Sequence, residues 1–147
     1  MKRTPLSRPL HVAAGLAMIL AVAGCSERDY DVAEVDGVVL IRGQPGHKVY
    51  IQFIPEVTGE TSPPISTAET DASGRFTLQL MEAKDGATRP GAVVGLHRVV
   101  LRDLQRAASA TGRGVPVRFS QQYTLAGTTP LRQEVKEGQQ TIEIKVP

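Results

Sequence analysis

Three kinds of side chain in this 147-residue chain can do more than pack: one thiol, a few imidazoles and a run of guanidiniums. Cys25, the sole cysteine, stands where an apolar stretch gives way to the polar segment Ser26-Glu27-Arg28-Asp29. A lone thiol can be acylated or alkylated, attack a carbonyl, or ligate a metal with partners. His47 lies in the turn Pro45-Gly46-His47-Lys48, and His97 opens the run His97-Arg98-Val99-Val100. Neither histidine has a neighbour at catalytic spacing. The chain has no Gly-x-Ser-x-Gly elbow, no His-Glu-x-x-His pair and no phosphate loop. Asp71-x-Ser73-Gly74 supplies only part of the oxygen set of a hard cation site, with no bidentate acid at the right distance. These residues predict neither an enzyme nor a metal or cofactor site. Arg98, Arg102, Arg106, Arg113 and Arg118 share their segment with one acid, Asp103. That set reads either as an ordinary charged strand and loop or as an anion-binding patch.

What precedes Cys25 decides its chemistry. Lys2, Arg3 and Arg8 stand at the start with no acid before Cys25, and Val12 to Gly24 is free of charge. Thirteen residues in a helix cover about 20 Å, short of a bilayer core of roughly 30 Å. A basic start, a short apolar middle and small residues at the end make an export signal. Val22-Ala23-Gly24-Cys25 resembles the lipobox of bacterial lipoproteins. The resemblance implies cleavage after residue 24 and attachment of fatty-acyl (palmitate-type) chains at Cys25. Two or more such chains hold a protein stably in a membrane. Ser26 occupies the position where that family often carries aspartate when retained in the inner membrane, which implies the periplasmic side of the outer membrane.

Removal of the leader changes the charge. Lys2, Arg3 and Arg8 depart, so 14 basic residues face 15 acidic ones and the formal charge falls from +2 to −1. Net charge then gives no support for nucleic-acid binding. Residues 26–34, Ser-Glu-Arg-Asp-Tyr-Asp-Val-Ala-Glu, show no apolar period and read as an acidic tether.

From Val35 the pattern turns to period two. Val35, Gly37, Val39 and Ile41 share a face, as do Val49, Ile51 and Phe53. Phe76, Leu78 and Leu80 repeat the pattern, and Ile142, Ile144 and Val146 close it. Such alternation places one face on a core and one in water. Weaker strands fit Ser66-Thr-Ala-Glu-Thr70, Leu96 to Leu104, and Leu131 to Val135. Leu96, Val100 and Leu104 also have helical spacing, but the β-branched pair Val99-Val100 favours a strand, followed by a long loop. Pro116, Phe119 and Tyr123 would pin that loop by burying their rings, or else form an exposed aromatic patch. Gly37 inside a strand marks a bulge or a close backbone approach. Turn chemistry separates the runs, with Asp71 closing a hairpin and Gly74 taking the left-handed conformation. The expected fold is all-β, a seven-stranded antiparallel sandwich over residues 35–147, behind a signal peptide (1–24) and a lipidated tether (25–34).

The order of these pieces resembles the carboxypeptidase regulatory-like, or transthyretin-like, β-sandwich domains of many small bacterial lipoproteins. Val35-x-Gly37-x-Val39, Gly43-x-Pro45, Val49-x-Ile51-x-Phe53-x-Pro55 and Thr70-Asp71-x-x-Gly74-x-Phe76-x-Leu78 carry the first half of the match. Pro90-Gly91, Pro116-x-x-Phe119, Thr129-Pro130-Leu131 and Val135-x-x-Gly138 carry the second. The same architecture hosts 5-hydroxyisourate hydrolase, whose Tyr-Arg-Gly-Ser tail has no counterpart in Ile142-Glu-Ile-Lys-Val-Pro147. The resemblance implies a non-enzymatic, lipid-anchored envelope protein that acts as a structural or interaction module. Its partners would be the membrane, through the N-terminal lipid, and an envelope protein or polymer. The alternative is a binder of a small ligand or polyanion that uses residues 98–123, with Arg113 and Tyr123 in the loop.

Overall fold

A computed structural model describes residues 30–56, 62–82, 86–108 and 114–147. The leader, Cys25 and Arg113 lie outside the described residues. The described part is all-β, with its strands in two packed layers around one core. In chain order the strands are β1 (Val32–Ala33), β2 (Val35–Ile41), β3 (Gln44–Pro45), β4 (Val49–Pro55), β5 (Ser66–Glu69) and β6 (Arg75–Thr77). They continue as β7 (Gln79–Met81), β8 (Thr88–Pro90), β9 (Ala92–Val93), β10 (Gly95–Asp103), β11 (Arg132–Val135) and β12 (Gln140–Val146).

The larger layer is a six-stranded antiparallel sheet in the order β11-β10-β4-β5-β7-β8. The smaller layer runs β12-β2-β3, with β6 on the same side of β2 as β3. The antiparallel sandwich holds with one exception: β12 pairs parallel to β2, Gln140 opposite Val35 through Val146 opposite Ile41. Periodicity cannot distinguish the two directions, because both leave the same alternation. The strand tally also exceeds seven, since short segments such as β1, β3, β8 and β9 are too brief to show a period.

The alternating residues meet in the core as their spacing requires. Val35, Val39, Ile142, Ile144 and Val146 of the smaller sheet cluster with Val49, Ile51, Phe53, Val99, Leu101 and Val135 of the larger. Gly37 and Phe76 are register partners, and a Cβ on Gly37 would collide with the Phe76 ring and the Ile142 carbonyl. The missing side chain lets Phe76 lie across β2 and reach Phe53, with ring centroids 6.4 Å apart. The run Arg75–Leu80, read as one strand, changes sheets at Leu78. Arg75–Thr77 pairs with β2 and Gln79–Met81 with β5. At the crossing, the Leu78 N–H donates to the Val35 carbonyl (2.9 Å), and its own carbonyl accepts from Gly91 (2.8 Å).

The turn ahead of β6 follows the expected chemistry. Asp71 Oδ1 accepts from the backbone N–H of Ser73 (2.8 Å) and Arg75 (2.9 Å), and Gly74 has φ +74°. Two boundaries move. Val32 and Ala33, assigned to the tether, pair with β9, and Ala33 is buried in the core. The packed body therefore begins at Val32, not Val35. After β10 the chain makes a single helical turn, α1 (Leu104–Ala108), before the loop. Phe119 and Tyr123 are buried as expected, but Pro116 is exposed and pins nothing.

Candidate functional site: an arginine-lined groove

The four described arginines of the set, Arg98, Arg102, Arg106 and Arg118, do not form one patch. Along β10, His97, Val99 and Leu101 face the core while Arg98 and Arg102 face outward. Arg98 is spent on its own layer: its Nε donates to Glu56 Oε1 (2.9 Å) and its Nη1 to the Ala126 carbonyl (3.0 Å). Glu56 also accepts Arg132 Nε at 2.8 Å, so one carboxylate bridges two arginines that oppose each other across β10 and β11. Arg118 is spent too. Its fork takes Asp103 through Nε–Oδ2 (2.8 Å) and Nη2–Oδ1 (2.5 Å), and its Nη1 donates to the His47 carbonyl (2.6 Å). The pair ties the loop to the end of β10 and to the turn before β4.

Burial alone would push the Asp103 carboxyl up. The Arg118 hydrogen bonds and charge, with the N–H groups of Arg106 and Gln105, outweigh it and hold Asp103 below its usual range. The carboxylate is thus fixed as an anion and fully committed.

Arg102 and Arg106 remain. Among the described residues Arg102 has no hydrogen-bond or ion-pair partner, and its side chain is exposed. Arg106 donates from Nη1 to the Val115 carbonyl (3.0 Å), and among the described residues its guanidinium meets no carboxylate. Both line a groove of about 700 Å³ at the end of β10, walled by Ala107, Val117 and Phe119 and edged by Gln121 and Thr124. A smaller hollow of about 350 Å³ adjoins it on the outer sheet face and shares Arg102 and Thr124. Tyr50 and Gln52 line that hollow, and Tyr50 is the register partner of Arg102. Ser120 caps the 3-10 turn Gln121–Thr124, which lies against β10, where Val100 is buried.

The structure therefore brings Arg102, Arg106 and Arg118 to one groove and places Arg98 elsewhere. Tyr123, which the ligand-binding alternative would use, is buried in the core, as the packing expectation has it. Sequence reading missed Glu56, Tyr50, Gln52 and Thr124. The only local signal was the outward phase of Tyr50 and Gln52 in the alternation of β4.

His47 is half-buried, with Nδ1 3.2 Å from Gln105 Nε2. His97 is 1% exposed, its ring 5.7 Å from that of Phe53. Its Nδ1–H donates to the Gly95 carbonyl (3.0 Å), and its Nε2 has no partner. Burial lowers its pKa below 6.5, against the opposing pull of the Gly95 carbonyl and the Glu56 charge. A second hollow, about 870 Å³, carries Asp36, Glu69 and Asp71. Among the described residues no three His, Cys, Asp or Glu side chains are grouped to hold a metal. Among them, too, no helix is long and apolar enough to cross a membrane.

No protein-family model matches the chain, and no curated protein is similar to it. Among solved structures it is similar to a 9R-lipoxygenase from Cyanothece PCC8801, at 11% identity and a TM-score of 0.27. The match covers 76% of this chain and 16% of the lipoxygenase, an overlap too slight to bear on fold or chemistry.

Proposed function

We propose that the chain is a non-enzymatic, lipid-anchored protein of the bacterial cell envelope, its sandwich a structural or interaction module of the carboxypeptidase regulatory-like kind. One observation carries the reading: Val22-Ala23-Gly24-Cys25 ends an uncharged run that follows Lys2, Arg3 and Arg8. The sandwich adds support, since it starts at Val32, a few residues beyond the cysteine. The anchor sets the location, on the periplasmic face of the outer membrane. Mass spectrometry of cell-made protein tests it: an N-terminal Cys25 carrying acyl mass is expected. A bare thiol, or a chain cut elsewhere, would end the proposal.

A second reading has its own support. Two guanidiniums that meet no carboxylate among the described residues, those of Arg102 and Arg106, line one groove, which favours an anion-binding module. Binding of inorganic phosphate that weakens with added salt and is lost in the Arg102→Gln/Arg106→Gln protein is the expected result.

A further inference from the structure

We infer that the groove at the end of β10 binds an amphipathic oxyanion, a carboxylate or phosphate head on an apolar body, rather than a polyanion. The inference rests on the anion-binding reading of the same groove and is independent of the lipid anchor.

Among the described residues, charge accounting speaks against a long polyanion at this face; Arg113 lies outside them. Arg98 and Arg132 share Glu56, and Arg118 is closed on Asp103. Of the described arginines, that leaves Arg102 and Arg106 to meet a ligand, enough for one head group and too few for the many phosphate contacts that give a polymer its affinity. Arg102 leaves β10 just before its end and Arg106 lies on the helical turn that follows, so both present guanidinium forks at the rim.

The walls select the rest of the ligand. Ala107, Val117 and Phe119 are apolar, and Val117 is 59% exposed, the most exposed large apolar side chain among the described residues. About 700 Å³ falls within the size range of small-molecule sites. Neutral donors and acceptors are present at the edge in Gln121 and Thr124, with no carboxylate other than the committed Asp103. A head group on the arginines would place an attached hydrocarbon against Val117, removing that surface from water.

Titration calorimetry on the purified full chain in dodecyl maltoside micelles, which carry no phosphate, with protein-free micelles as the blank, tests this with three probes: inorganic phosphate, hexanol and hexyl phosphate. Hexyl phosphate should bind about tenfold more tightly than inorganic phosphate, the gain expected from burying about two methylene groups. Hexanol alone should not bind measurably. The Arg102→Gln/Arg106→Gln protein should lose about tenfold or more for hexyl phosphate. Arg98→Gln should bind as the parent does. Val117→Ser should weaken hexyl phosphate and leave inorganic phosphate unchanged, a split that a general loss of folding would not produce. Equal affinity for the two phosphates, with loss in the double variant, would overturn the apolar half and leave an anion site. No binding of either phosphate would overturn both the inference and the reading beneath it.

Discussion

Arg118 and Asp103 meet as two parallel contacts, Nε to Oδ2 and Nη2 to Oδ1, with both side chains largely withdrawn from solvent. Removing one member strands the other's charge in a place where water cannot replace it. Arg118→Leu should therefore cost roughly 3 kcal/mol in urea unfolding, and Asp103→Asn in the Arg118→Leu background should restore part of it. The pair also sets an acid limit. Because the folded carboxyl lies below its usual 3.8, its stabilisation is present above that pH and is lost as pH falls through the lowered value. A loss under about 0.5 kcal/mol in Arg118→Leu would show that the fork does not hold the loop.

Glu56 offers the contrast. Its two arginine partners are more exposed than Arg118, so Glu56→Gln should cost less than about 1 kcal/mol by the same measurement. It would leave Arg98 and Arg132 facing each other across the strands without a counter-charge. The loss should shrink further at high salt; a large, salt-independent loss would contradict this account.

His97 brings a second proton-linked effect. Its folded pKa is below the ordinary 6.5, so the neutral ring is the one the core accepts. Stability from this group is complete above about pH 6.5 and falls as pH drops from there through the folded pKa. Urea midpoints measured between pH 8 and pH 5 should decline, and His97→Phe should flatten that slope. An unchanged slope in the variant would assign the decline to other groups.

Gly37 is the tightest point of the core. Gly37→Ala should destabilise by roughly 2–3 kcal/mol, because the Phe76 ring and the Ile142 carbonyl would have to move. In the Phe76→Ala background the same substitution should cost less, since the ring that blocks the Cβ is gone. Additive losses in that cycle would mean that the close approach does not govern the cost.

The period-two runs made the core legible: Val39, Ile51, Phe53, Leu78 and Ile144 all reach the interior that their alternation assigned them. Asp71 and Gly74 declared their turn for the same local reason. The direction of β12 was not legible, since parallel and antiparallel partners ask for the same side-chain phase. Nor was the sheet change at Leu78, where the inward phase persists although the pairing partner changes. The groove was only half visible. A count of arginines along 98–118 found the region, but which of them are neutralised depends on Glu56, 42 residues before Arg98, and on the fold that brings them together.

The chain enters the sandwich at β1, beside the start of β10, and the groove lies at the other end of β10. Eight residue steps of strand put about 26 Å between the two. The link from Cys25 to Asp31 adds at most about 20 Å of slack. If the proposed acyl chains sat in a bilayer and the body stood upright, the Arg102 rim would face away from it, at most about 46 Å above the lipid surface. Whatever fills that rim would then arrive from the aqueous side, and each captured molecule would be kept within a bounded distance of the leaflet.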